Sequence, residues 1–208
     1  MEELALIPLN VRRLQAFERL LSGKEFGGCY CAVWTNHDES WGDRCQNRPH
    51  ENLEHTRRRV RSGQATGFLV QRVSDGEIVA WTGCGPKTAF PLLHERPGSR
   101  LGPWEDSIWA IGCLAIAFQH RSRGYSRGIV DLVVEEARKR GASSVEAYPL
   151  EPSAEGASYR GSRSLYTEAG FELADGEPSG DYHALRMVKT VSAAVPSGPA
   201  SGSGEAAV

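Results

Sequence analysis

Arg121-Ser122-Arg123-Gly124-Tyr125-Ser126 lies between an apolar run, residues 107–118, and an amphipathic run, residues 125–140. The arrangement reads as a strand, a short Gly-containing turn rich in arginine, and a helix. Such a turn presents backbone N–H groups to a phosphate. The first helical turn has unpaired donors and about half a positive charge, and guanidinium groups add a bidentate grip. The same hexapeptide would also serve as an ordinary strand-to-helix connection with solvated arginines, so the rest of the chain decides between the two.

Beyond the turn, residues 143–148 read as a strand and 161–169 as a short helix closed by Gly170. Further strands fall near Phe171 and at 185–188. Before the turn, residues 4–9 predict a strand and 11–21 an amphipathic helix with Leu14, Phe17 and Leu20 or Leu21 on one face. Gly27-Gly28 breaks the chain ahead of a strand-like Cys29-Tyr30-Cys31-Ala32-Val33-Trp34. Residues 35–48 are polar and irregular, and 51–61 form a charged helix that Gly63 ends. Residues 66–73 and 78–84 are β-rich and joined by Ser74-Asp75-Gly76, a hairpin signal. A long loop, 87–104, carries Pro91, Pro97 and Pro103, and long loops in compact domains usually have a purpose. The pattern is α/β and gives one domain over 1–190. Residues 191–208 are mostly Ala, Ser, Gly, Pro and Val and read as a flexible tail.

The chain has 208 residues, 40% of them hydrophobic, and a formal charge of −2, which suits a soluble domain with a sizeable core. No run approaches the ~20 apolar residues of a membrane span, and the N-terminus lacks the apolar core of a signal peptide. The five cysteines, Cys29, Cys31, Cys45, Cys84 and Cys113, are odd in number and lie mostly in or beside apolar runs. Reduced thiols and a cytoplasmic location are therefore expected. Cys29-x-Cys31 with His37, Cys45 and His50 is poorly spaced for a structural zinc site. On a strand the two thiols would point to opposite faces. They are expected as core or pocket-lining thiols, with no metal. Of the five tryptophans, Trp34, Trp81 and Trp109 fall in apparent strands and read as core. Trp41 and Trp104 fall in apparent loops, where each either walls a pocket or packs on the surface.

Two motifs in order, Arg121-x-x-Gly124-x-Ser126 and Leu165-Tyr166-x-x-x-Gly170-Phe171, make the chain resemble the GNAT superfamily of acyl-CoA N-acyltransferases. Leu114-Ala115-Ile116 looks like the family's Leu-Ala-Val at the end of its central strand, and Ser126 stands where Gly or Ala is usual. A register starting at Arg123 would put Ile116 and the following helix out of step with the family. The resemblance covers roughly residues 5–190. The Cys-aromatic-Cys segment, Trp81-Thr82-Gly83 and Pro91-Leu92-Leu93 are similar to a little-characterised bacterial branch. The implied fold is a mixed central sheet with splayed central strands flanked by helices.

The resemblance implies acetyl-CoA or another acyl-CoA as co-substrate. Its pyrophosphate would lie on Arg121, Ser122, Arg123, Gly124, Tyr125 and Ser126, and its amide arm along the free edge at Leu114, Ala115 and Ile116. Tyr166 matches the family's general acid, since a phenol of pKa near ~10 is neutral at pH 7 and can protonate a departing thiolate. Where relatives carry a basic Glu or His, this chain has Ala110. Glu105 and Asp106, at the start of the strand, remain candidates acting through water. A base matters because an alkylamine is neutral in only about one molecule in a thousand at pH 7.

The leading expectation is an N-acetyltransferase acting on an amine of a small molecule, with no membrane contact and with the oligomeric state left open, a homodimer being one option. A donor aminoacyl-tRNA is the first alternative, using Arg57, Arg58, Arg59 and Arg61 with Arg12, Arg13, Arg121, Arg123 and Arg127 as an RNA-facing patch. A non-catalytic acyl-CoA-binding module is the second.

Overall fold

The computed structural model describes residues 2–95, 102–151, 159–174 and 183–191. The expected 191–208 tail lies outside the described residues except for Val191. Strands β1 (Leu4–Pro8), β2 (Phe68–Arg72), β3 (Ile78–Pro86), β4 (Ile108–Ile116), β5 (Ser144–Ala147), β7 (Glu172–Leu173) and β9 (Met187–Thr190) form one sheet, ordered β1-β2-β3-β4-β5-β9-β7. All pairs are antiparallel except β4 with β5. A second, two-stranded sheet joins β6 (Leu150–Glu151) to β8 (His183–Ala184). The helices are α1 (Leu14–Leu21), α2 (Trp41–Asn47), α3 (Pro49–Arg61), α4 (Leu92–Glu95), α5 (Tyr125–Lys139) and α6 (Arg163–Glu168).

Period decides which helices cover which face. On α5, Ile129, Val130, Val133 and Ala137 are buried against Trp109, Ile111 and Leu114 of β4. On α1, Leu14, Phe17 and Leu21 are buried on the opposite face, where the Phe17 ring meets Trp81 edge-on at 4.8 Å. Complete burial of Phe17 contributes about 1.5–3 kcal/mol. A smaller cluster, with Trp34, Phe90, Ala110 and Tyr148, continues that face beyond β4.

The parallel pair is short. It runs from Ile108 opposite Ser144 to Ile111 opposite Ala147, and β4 then continues to Ile116 with no β5 partner. The β3–β4 register shifts between Gly83 and Cys84, which face Cys113 and Ile111, leaving Gly112 as the extra residue of a bulge. The bulge shifts the alternation of β4: Ala110 before it packs in the Trp34 cluster, and Cys113 and Ala115 after it pack in the α1 cluster. Here the sheet parts, as the splayed-strand expectation required.

Three expectations are corrected. Residues 29–34 are not a strand. Tyr30 and Cys31 both take left-handed backbone angles (φ 43° and 57°), and Ala32–Trp34 is a 3-10 turn. Asn52 Nδ2 donates to the Gly28 carbonyl (3.0 Å) and Thr56 Oγ1 to the Tyr30 carbonyl (2.9 Å). Bonds from α3 side chains thus replace a strand ladder. Residues 35–48 are not wholly irregular, because α2 forms within them. Its buried Arg44 is held by Asp38 (2.7 and 2.9 Å), the Asn36 carbonyl (2.5 Å) and Asn52 (3.2 Å). Arg44 in turn holds the Asp38 carboxyl below its usual range. The 87–104 loop also contains structure, a 3-10 turn at Lys87–Ala89 followed by α4.

Candidate active site

The turn after β4 is built from backbone. Gly124 is the N-cap of α5 with φ 77°, a left-handed value that favours glycine, and nothing lies within 4 Å of where its Cβ would be. No side chain caps the helix and no acid occupies its first turn, so its leading N–H groups face open space. Ser122, Arg123 and Gly124 are exposed, and Ser126 is half-buried. Tyr125 is anchored in the core with its hydroxyl donating to Glu2, which leaves only its backbone for a ligand. Arg121 turns back, donating from Nε to the Ile116 carbonyl (3.1 Å) and stacking over Phe118 at 5.7 Å.

The edge leading to the turn has no strand partner among the described residues on the side where β5 has ended. The Leu114 N–H donates to the Tyr159 carbonyl at 2.6 Å. A carbonyl oxygen therefore already fits that donor, and it is a loop's own. Ala115 and Ile116 complete the edge; their other side pairs with Trp81 and Ala80 of β3.

Beside this edge lies a cavity of about 230 Å³. Its walls include Cys29, Cys31, Cys113, Trp41, Tyr159 and Arg160. Both thiols of the Cys29-x-Cys31 segment thus reach one cavity, because the left-handed turn replaces the strand whose alternation would have parted them. Trp34 forms the inner wall. Its Nε1 donates to the bulged Gly112 carbonyl (3.1 Å), and the Arg160 guanidinium lies 4.6 Å from its ring centre. A Cβ on Gly112 would stand 2.6 Å from the Trp34 nitrogen, so the indole occupies what a larger residue there would fill. Trp41 lines the cavity, whereas Trp104 is exposed and stacks on His94 at 4.6 Å.

The thiols differ. Burial pushes Cys29 up to about 12. Cys31 and Cys113 lie buried together, and their mutual influence lowers the Cys31 pKa and raises that of Cys113 well above the usual thiol value. Among the described residues no group of three or more His, Cys, Asp or Glu gathers to hold a metal ion.

Tyr166 is fully buried on α6, behind the cavity. Its hydroxyl donates to the Arg160 carbonyl (2.8 Å), and burial raises its pKa. Glu105 and Asp106 are exposed at the other end of β4, where they interact with Ser107 and Thr88. Some six residues of strand, roughly 20 Å, separate Asp106 from Gly112. The structure therefore brings together the turn, the edge and Tyr166, and leaves the two acids apart.

The sequence reading missed a buried acid. Glu146 lies opposite Ala110 across the parallel pair and is sealed by Lys87 Nζ (2.7 Å), Arg186 Nε (3.0 Å) and the Tyr148 hydroxyl (2.5 Å). Burial and the Glu146 charge raise the Tyr148 pKa. A buried ion pair of this kind needs every partner to offset its desolvation. An acid between Val145 and Ala147 in a buried strand was the available signal.

The basic cluster is largely paired. Arg57 grips Glu18 through two bonds of 2.7 Å, Arg61 reaches Glu54 at 3.5 Å, and Arg59 donates to the Gln64 carbonyl.

The Acetyltransferase (GNAT) family profile matches residues 29–171, and the chain belongs to that family. It is similar in fold to an aminoglycoside acetyltransferase solved in complex with coenzyme A (17% identity, TM-score 0.52, covering 90% of this chain and 95% of that one). The spermidine N-acetyltransferase of Vibrio cholerae, in complex with CoA and spermine, is similar as well (13%, 0.52, 90% and 95%). So is the ribosomal-protein-S18-alanine N-acetyltransferase of Escherichia coli (14%, 0.53, 94% and 98%). At these identities the likeness is one of fold. No curated protein sequence matches the chain. Among the described residues, no helix is long and apolar enough to cross a membrane.

Proposed function

We propose that the protein is a cytoplasmic acyl-CoA-dependent N-acyltransferase that moves an acetyl or other short acyl group to an amine of a small molecule. The carrying observation is the overhang of β4. Among the described residues, 112–116 form an edge about 16 Å long with no strand partner on the β5 side, held only by a loop carbonyl and two side chains, and it ends at the uncapped N-terminus of a fifteen-residue helix. An amide arm can add to that edge as a strand would, with its pyrophosphate at the helix N-terminus. Ser122, Arg123 and Gly124 lie open to the phosphates, and Tyr125 and Ser126 contribute N–H groups. Arg121 joins them by releasing Ile116.

The acyl carbonyl takes the Leu114 N–H, a donor suited to the negative charge that grows on that oxygen during transfer. The Tyr159 carbonyl must first leave it. Arg160 is the next residue, so the same displacement loosens the carbonyl that holds the Tyr166 hydroxyl. Tyr166 then becomes free to protonate the departing thiolate. Glu105 and Asp106 stand too far from this edge to act as the base. An acceptor nitrogen of low pKa needs none, which points to an amine less basic than an alkylamine. The acceptor cavity is the Cys31–Trp34 side of the splay. With Arg57 and Arg61 engaged by Glu18 and Glu54, that cluster gives a tRNA donor little to bind.

The test is calorimetric titration with acetyl-CoA, followed by turnover on a panel of small amines spanning a range of pKa. Submillimolar donor binding with acetylated product supports the reading. Donor binding without turnover on any amine would leave an acyl-CoA-binding module, and no donor binding would sink both.

A further inference from the structure

The cavity beside β4 is walled by rings, and the rings are braced. Phe26, Tyr30, Trp34, Trp41 and Tyr159 all line it. Trp34 is fixed by its bond to the Gly112 carbonyl, with the Arg160 guanidinium 4.6 Å from its ring centre. Trp41 is backed by the His37 ring at 5.6 Å, and Tyr159 by Phe26 at 5.6 Å. Walls held in place before a ligand arrives lower the ordering cost of binding it.

Charge narrows the ligand further. Among the described residues lining the cavity none is Asp or Glu, and Arg160 is the one Lys, Arg or His. An ammonium entering from water would lose its hydration and find no carboxylate there. Aromatic walls can also cage a cation. Here a guanidinium already lies over Trp34, the inner wall, and repels a second. Size sets the rest. An apolar cavity of about 150 Å³ holds one benzene, so about 230 Å³ admits a substituted ring or two fused rings. The cavity also reaches the edge of β4. Gly112 and Cys113 line it, and so does Tyr159, whose carbonyl takes the Leu114 N–H.

We propose that the acceptor is an aromatic amine of one or two rings, with its nitrogen directly on the ring, bound among Trp34, Trp41 and Tyr159. The inference rests on the acyl-CoA reading above and names the substrate class for that site. A ring nitrogen of this kind shares its lone pair with the ring and is neutral at pH 7. It therefore enters without a carboxylate to meet it and reacts without a base at Ala110. The nitrogen bonds to the acyl carbon as the carbon–sulfur bond to CoA breaks. Its proton passes to the CoA thiol, leaving an anilide-type amide.

Calorimetry and turnover with acetyl-CoA present test this on aniline, 5-aminoindole, benzylamine and spermidine. Aniline and benzylamine carry the same ring and differ in whether the nitrogen is charged at pH 7. Aniline and 5-aminoindole should bind about tenfold or more tighter than benzylamine and be acetylated on the amine, and spermidine should do neither. Trp41→Ala should weaken 5-aminoindole binding about tenfold, the worth of one good ring contact, with acetyl-CoA affinity unchanged. Val33→Asp sets a carboxylate in the wall. It should move the benzylamine-to-aniline ratio toward benzylamine by about tenfold or more, a shift that mere loosening of the fold would not produce. If Val33→Asp does not fold, the ranking in wild type and Trp41→Ala decides. A wild-type preference for benzylamine or spermidine, no binding of either aromatic amine, or unchanged 5-aminoindole affinity in Trp41→Ala overturns the proposal. The transferase reading survives each of these while acetyl-CoA binds and some amine is acetylated. If acetyl-CoA does not bind, both readings fall.

Discussion

The two ends of the splay are built on different principles. The proposed donor end, β4 through the first turn of α5, is built from main-chain groups: an edge without a strand partner, a left-handed glycine and a helix N-terminus. The proposed acceptor end, from Gly28 to Trp34, is built from side chains. Asn52 and Thr56 hold a turn whose backbone is itself unfavourable, and thiols and indoles line the cavity. Backbone sites tolerate changes of residue type where space is open. Side-chain sites depend on each partner.

Gly124→Asp should break the donor end most severely. A carboxylate set among the phosphates should cost roughly 10²-fold in acetyl-CoA affinity, about 2.7 kcal/mol. The left-handed backbone costs only about 1 kcal/mol of stability, since the space there is free. Unchanged affinity in calorimetry would refute the phosphate site. Tyr166→Phe comes next: turnover should fall by about 10²-fold with donor affinity little altered. A mutant within roughly threefold of wild type would make Tyr166 a structural tyrosine bound to Arg160.

Asn52→Ala sharpens the other side. It leaves the Gly28 carbonyl and Arg44 short of a buried partner, for about 1–3 kcal/mol of stability lost in urea unfolding. Turnover should drop more than donor affinity. Equal losses in both would mean that the two ends are coupled. A milder contrast lies among the thiols. At pH 8, iodoacetamide and peptide mapping should find Cys31 labelled ahead of Cys29, whose pKa is near 12. The reverse order would contradict the lowered pKa of Cys31 beside Cys113. The smallest effect is expected from neutralising Arg57, Arg58, Arg59 and Arg61 together, which should leave turnover nearly intact. Loss of activity along with a tight tRNA complex in gel shifts would restore the aminoacyl-tRNA donor.

The same contrast explains what could be read from residues. The strand, the glycine turn and the helix around residue 124 were legible because each has a local signature, and the backbone groups follow wherever the elements go. The stretch from Cys29 to Trp34 was misread because its β-branched and aromatic residues favour a strand, yet hydrogen bonds from a helix over twenty residues away decide its shape. A faint signal existed: Asn52, Thr56 and Val60 form an uncharged stripe at helical spacing on an otherwise charged α3. That stripe marks a buried face that packs through hydrogen bonds. Glu146 was likewise visible as an acid inside an apolar strand, but its partners Lys87 and Arg186 are distant in the chain. Glu105 and Asp106 lie apart from the turn for a simpler reason, since proximity along a strand says nothing about which end of it opens.

The bond from the Leu114 N–H to the Tyr159 carbonyl has a thermodynamic consequence. A tethered group competes at an effective concentration of about millimolar for a short flexible link, so any ligand using that N–H must outcompete part of its own host. Its measured dissociation constant is then an intrinsic constant divided by the fraction of molecules in which the tether has let go. Changes at residues 159 and 160 that weaken the tether should tighten a donor they never touch, and the gain would appear in the rate of association. The loop would set how hard the donor must compete, while the strand edge and helix terminus set what it is.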